Sequence, residues 1–399
     1  MYYQQGWGKI KERFKAWWNQ ELLDRVLIQA IAPRESCNTS KYESSCGEYP
    51  FYNTIKNWAN KGYNHEYLLE KTENQIASTY YGGDAVPFFS INLGPGSLAS
   101  YLGCRANFRD DTIWFGPPIL NDWECLSEVK FNPQDEPWRI AKELTDFASK
   151  KGKGKFLVSF ADMGGVQDIM ASLRGSERLC LDLIEYPDKV KELRDYIVKV
   201  WIQCYDELLD LVNKNQEGTV GWLPAWSPGK TYPLQCDFSA MISPKMYEEF
   251  VAPEIQTLAR HLDNVIYHLD GPDMVKHLDI ILDIPEIDAI QWVPGPKTLP
   301  GPGFPPESSL SWPYQVLGPK TLSEEPPSPS LIDEISMLRR IQKKKKSLYV
   351  YASGPKEVER LISELSPEGL LICTSCNSEE GARRLVNKVE EWTIRRMRR

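Results

Sequence analysis

The chain has 399 residues, 42% hydrophobic and 26% charged, with 47 basic against 55 acidic side chains and a net charge of −8. That length completes a core without disulfides or a structural metal, the composition excludes wholesale disorder and fibrous repeats, and the acidic excess argues against nucleic acid as partner. Nine scattered cysteines, an odd number, read as reduced thiols; Met1 to Gln20 carries Lys9, Lys11, Arg13 and Lys15 with no apolar signal stretch, and no run reaches membrane-spanning length, so a cytoplasmic protein without a membrane span is expected.

In chain order, Ile10 to Trp18 has the spacing of an amphipathic helix, and Val26 to Pro33 reads as a strand, followed by a polar loop from Arg34. Helical pattern resumes over 64–80, and Ala85 to Leu93 gives a strand running into the Gly94-Pro95-Gly96 turn, with a helix from Ser97. Beyond it the pattern alternates: helix 137–150, strand 156–161, helices 167–173 and 187–212, strand 219–223, helix 244–262, strand 265–269, helix 273–282, strand 289–293, helix 331–342, strand 347–351, helix 356–365, strand 370–374 and helix 378–392. About eight β-then-α units predict a single-domain (β/α)8 TIM barrel over 1–399, with an N-terminal helical extension. A doubly wound sheet lacks its Gly-x-Gly-x-x-Gly signature. Between 294 and 330, eleven of the 29 prolines and the near-repeat of Gly295-Pro-Lys-Thr-Leu299 at 318–322 mark a Pro-rich loop insertion. The run Lys343 to Lys346 reads as a solvated face at a helix end.

In a barrel, chemistry gathers at the carboxyl ends of the strands. There, His268 and Asp270 stand two apart at the end of an apolar strand, on one face, and suit either a metal or an acid/base pair. Cys376 ends the last strand, and with His268 and Asp270 it completes a three-ligand metal set with an open position; Cys373, the other half of the C-x-x-C, reads as core. Asp237, opening the turn before the Ser243-Pro244 helix start, is an acid/base candidate competing with a capping role. Gln29, Asn92, Asp162, Gln235 and Gln291 are polar groups at strand ends that would line a substrate pocket, with Trp226 and Trp292 as its apolar wall. Of the other histidines, His65, His261 and His277 read as surface or capping groups.

Asn92-Leu-Gly-Pro-Gly96, Asp162-Met-Gly-Gly165, Tyr186-Pro-Asp188, Trp226-Ser227, Gln235 to Pro244 with Tyr247-Glu-Glu-Phe250, and Tyr267-His-Leu-Asp-Gly271 together resemble the uroporphyrinogen decarboxylase superfamily. The resemblance implies a TIM barrel. It points to the branch of corrinoid-dependent methyltransferases, because the first strand, Ile28-Gln-Ala-Ile-Ala-Pro33, lacks the arginines with which the decarboxylases hold substrate carboxylates. In that branch a zinc ion sits on His-x-Cys of one strand and a Cys of the last; His268 and Cys376 match, and Asp270 replaces the remaining cysteine. The resemblance thus implies methyl transfer between a corrinoid, carried by a partner protein, and a thiol or other small acceptor. The alternatives are a lyase, decarboxylase or hydrolase using Asp/His acid-base chemistry, or a non-catalytic small-molecule-binding barrel. A homodimer is the expected assembly.

Overall fold

The computed structural model describes residues 1–34, 65–91, 93–108, 113–294 and 334–398. The Pro-rich insertion and Asn92 therefore lie outside the described residues. The alternating pattern builds a parallel sheet backed by helices. Strands β1 (Leu27–Pro33), β2 (Thr79–Gly83), β3 (Phe88–Phe89), β4 (Ala106–Phe108), β5 (Ile113–Phe115), β6 (Leu157–Val158), β7 (Thr231–Leu234), β8 (Asn264–Asp270), β9 (Ala289–Val293), β10 (Ser347–Tyr351) and β11 (Leu370–Ser375) follow in chain order. Seven pair in the order β2-β1-β11-β10-β9-β8-β7, all parallel except β2 on β1; β3 pairs with β6, and β4 with β5. The first and last strands of the parallel set, β1 and β11, are neighbours, as ring closure on that side requires.

The expected ring of eight strands does not close by strand pairing among the described residues. The second edge of β1 is taken by antiparallel β2, which leaves β3 nothing to pair with there. β2 begins within the helix predicted over 64–80 and runs past its end; the helix stops at Ser78 because Thr79 to Gly83 turns back along β1. Between β6 and β7 side chains replace the ladder: the Tyr232 hydroxyl accepts from Met163 N at 2.7 Å and reaches Ala161 O at 3.2 Å. The strand predicted at 219–223 is instead a turn joined by the Thr219–Ser227 bridge, and Gly221 packs beneath Pro233 of β7. A helix not read from the sequence, Ser176–Glu185, precedes Pro187, whose ring starts the next one.

The N-terminal helix Trp7–Trp18 lies across the amino ends of the strands. Its buried Phe14, Trp17 and Trp18 follow helical spacing; Trp17 Nε1 donates to Leu348 O, Ser347 Oγ donates to Trp17 O, and Trp18 Nε1 donates to Trp226 O. Just inside it, Asp84 is fully buried between Arg13 and Arg25, at 3.0 and 2.6 Å, and also accepts from Ile28 N. This end is sealed. Lys346 departs from the expected solvated run: it is buried, and its ammonium donates to Ile284 O and Ile287 O. His277 likewise is buried, stacked on Tyr247, and its Nε2 bonds Ser239 O.

No helix among the described residues is long and apolar enough to cross a membrane.

Candidate functional site

Strand alternation decides which side chains meet at the carboxyl ends. In β8 and β9 the register pairs His268 with Gln291 and Leu269 with Trp292, so His268, Asp270 and Gln291 share one face while Trp292 takes the other. Leu234 of β7 pairs with Tyr267, which puts Gln235 and Asp237, continuing that strand, in the phase of His268 and Asp270. Tyr349 pairs with Gln291, so Tyr351, two further on, reaches the same face.

The Asp237 turn is fixed from behind. Asp168, in the first turn of helix Val166–Arg174, accepts from Asp237 N at 3.1 Å and Phe238 N at 2.7 Å. That helix can come so close only because its entry is glycine: a Cβ on Gly165 would stand 2.3 Å from Gln235 O, and one on Gly164, at φ +83, 2.6 Å from Gly96 Cα.

The result is a cluster in which ligand atoms of Asp237, His268 and Asp270 all lie within 4.8 Å of one another. His268 is 1% exposed. Its Nδ1 bonds Gln291 Oε1, an atom that only accepts, so Nδ1 carries a proton and Nε2 is the nitrogen left to act as a ligand. Gln291 Nε2 in turn donates to the Tyr351 hydroxyl at 2.8 Å, which holds the amide that way round. Nε2 of His268 is buried and has no hydrogen-bond partner. Trp222 stands edge-on to the imidazole at 5.0 Å, with its own N–H spent on Pro233 O. A buried nitrogen facing two carboxylates, with the opposite ring nitrogen anchored to a carbonyl, is the arrangement of a metal-ligating histidine and its outer support.

The carboxyls are held above their ordinary range. Burial raises Asp162 to about 6, with the Asp237 charge adding to the shift and Gly164 N–H and His268 opposing it. Burial also raises Asp237 and Asp270, and for Asp270 the neighbouring Asp237 charge acts the same way. Asp168 is pushed up by burial and by Asp237. Asp237 is nonetheless solvent-exposed; a group both enclosed by protein and reached by water stands on the wall of a concave site.

Several sequence-predicted residues are elsewhere. Cys376 is not among the clustered ligand groups. Cys373 is in phase with Gln29 across the β1–β11 ladder and its Sγ donates to Gln29 Oε1 at 3.1 Å; three residues on, an extended chain has reversed face, and Cys376 packs half-buried toward Gly381 of the last helix. Asp237 stands with His268 and Asp270 in the cluster in its place. Gln29 is buried below the site, with its amide donating to Pro224 O at 2.6 Å, so it holds the interior rather than a substrate. Trp226 is at the sealed amino end, donating to Glu217 O and lying edge-on to Trp7. Trp292 faces the helix layer and donates to Glu334 at 2.7 Å. Asp162, Gln235 and Gln291 do reach the site, Gln291 as the support of His268. Asp168, Trp222 and Tyr351 were missed: an acid in a helix's first turn reads as a cap, and a strand-end tyrosine or a loop tryptophan carries no pattern of its own.

If Gln291 and Tyr351 orient His268, Gln291→Met lowers affinity for a divalent ion roughly 10- to 100-fold while the protein stays folded. Calorimetric titration with zinc, beside a thermal melt, checks both.

No family model matches the chain, and no curated protein matches it in sequence. Among solved structures it is similar to a methyltransferase from Methanosarcina mazei, with TM-score 0.58 and 11% identity, over 96% of this chain and 98% of that one. At that identity the likeness shows a shared fold across nearly the full length of both chains.

Proposed function

We propose that the chain is a metal-dependent methyltransferase on a (β/α)8 barrel of the uroporphyrinogen decarboxylase superfamily, moving a methyl group between a corrinoid on a partner protein and a thiol or other small acceptor. The observation that carries the reading is the buried, unpartnered Nε2 of His268 gathered with Asp237 and Asp270. The fold shared with a methyltransferase supports it. One nitrogen and two carboxylate donors fit zinc and also harder divalent ions.

When bound, a divalent ion lowers the pKa of a coordinated thiol, hydroxyl or water and makes it a nucleophile. The chain's own residues do the rest. Gln291 and Tyr351 keep a proton on Nδ1 of His268 and leave Nε2 as the ligand nitrogen. Asp162, raised to about 6 by burial, lies beside the donor set within reach of the Asp237 and His268 charges and faces the acceptor. Trp222 walls the imidazole from water. The test is methyl transfer from methylcobalamin to small thiols, followed by the visible absorbance of the demethylated corrinoid. Metal-dependent transfer that disappears in His268→Ala supports the reading, and its absence from fully metal-loaded protein overturns it.

The same raised carboxyls favour one second reading, acid/base catalysis by a lyase or hydrolase with Asp162 and Asp237. Turnover that persists in chelator-treated protein would select it.

The sign of the pH dependence follows. Asp237 and Asp270 hold protons above the ordinary carboxylate range, and a metal ion must displace them, so binding releases protons and strengthens as pH rises through the range in which they titrate. For the metal-free chain the direction is opposite. The stability that raised Asp162 contributes is fully present below about pH 4 and is lost as pH rises through about 6. Zinc titrations in buffers of different ionisation enthalpy count the released protons.

A further inference from the structure

Around His268 stand, among the described residues, three carboxyls without a lysine or arginine partner and two buried atoms, Gln235 Oε1 and His268 Nε2, without any hydrogen-bond partner. Asp162 accepts from Gly164 N, and its further neighbour is the Tyr232 hydroxyl at 3.5 Å; the one non-acidic group that acts on Asp237 and Asp270 is the His268 imidazole. Among the described residues no lysine or arginine pairs with any of the three. Gln235, 5% exposed and in phase with His268, has a buried Oε1 without a partner, as has Nε2 of His268 itself. Three carboxylates against the two positive charges of one divalent ion leave a negative charge over, and Asp162 stands outside the ion's own donor set.

A site of this kind repels anions and takes a donor-bearing cation. We propose that the acceptor bound beside the metal ion is a small molecule carrying a protonated amine, an aminothiol or close analogue, with its ammonium group held by Asp162 and the Oε1 of Gln235. The position of the reacting atom rests on the metal-site reading above, whereas the ammonium contact does not use the ion.

Three thiols of equal length separate the possibilities: 2-aminoethanethiol, 2-mercaptoethanol and 2-mercaptoethanesulfonate. On the full chain loaded with Co2+, thiolate-to-cobalt absorption reports the thiol at the metal and calorimetry reports affinity. The aminothiol is expected to bind roughly tenfold or more tighter than the neutral thiol, and the sulfonate weakest. Asp162→Asn keeps an acceptor for Gly164 N–H, and in it the aminothiol's advantage shrinks to within about twofold. Equal affinities, a tighter sulfonate, or an advantage unchanged in Asp162→Asn overturns the proposal. If no thiol gives the absorption, the metal reading has failed, and ethylammonium titrated into metal-free protein decides the rest. Binding to wild type and not to Asp162→Asn upholds the ammonium site, and no binding to either overturns it.

Discussion

Replacing His268 by alanine is expected to lower affinity for a divalent ion by more than roughly 100-fold, since even an outer support of a metal-bound histidine contributes 10- to 100-fold. The variant removes the one nitrogen donor of the cluster and leaves Asp237 and Asp270 facing each other with no imidazole between them. It also strands Gln291 Oε1, which has His268 Nδ1 as its partner. An unpartnered buried acceptor costs about 1–3 kcal/mol. The variant therefore melts at a lower temperature than wild type, and metal titration at a temperature where both are folded separates the two effects. The proposed methyl transfer is expected to fall with the metal. A His268→Ala protein that binds zinc as tightly as wild type would place the ion elsewhere.

Trp226→Ala is expected to behave in the opposite way, with a large loss of stability and an unchanged site. The indole is buried at the amino end of the strands, its N–H on Glu217 O, its ring against Trp7 and its carbonyl accepting from Trp18. Truncation removes the filling of a packed region and costs about 3–5 kcal/mol. Zinc affinity and the relative affinities of substrates stay at wild-type values, because no part of the residue reaches the carboxyl ends where His268 and Asp237 stand. Chemical denaturation with a parallel metal titration checks both halves. A shift in substrate preference with little change in stability would return Trp226 to the pocket wall.

These two residues show what the sequence reveals and where it stops. His268 and Asp270 were legible because alternation along a strand is local: two residues apart at the end of an apolar run means one face, wherever the strand lies. Applied to Cys376, the same rule depends on knowing the phase. Cys373 faces in with Gln29, and the C-x-x-C spacing then turns Cys376 to the helix side. That phase is set by pairing with β1, some 340 residues away in sequence, which no local pattern encodes. Trp226 and Trp292 illustrate the same limit. Each follows a polar or apolar run that suggests a pocket, and each is instead fixed by a partner from the N-terminal helix or from Glu334. The parallel β-then-α order of the second half was legible from its long, regular alternation. The first half was less so, since β3 and β6 are two residues each and β2 turns back against β1 by contacts that are not periodic.

In the proposed site Asp237, His268 and Asp270 hold one divalent ion and Cys376 takes no part. Metal content per folded chain, measured after zinc loading and desalting on wild type, Asp237→Asn, His268→Ala and Cys376→Ser, tests it most directly. About one ion is expected in wild type and in Cys376→Ser, and marked loss in the other two. Loss in Cys376→Ser with retention in Asp237→Asn, or no ion in well-folded wild type, would contradict it.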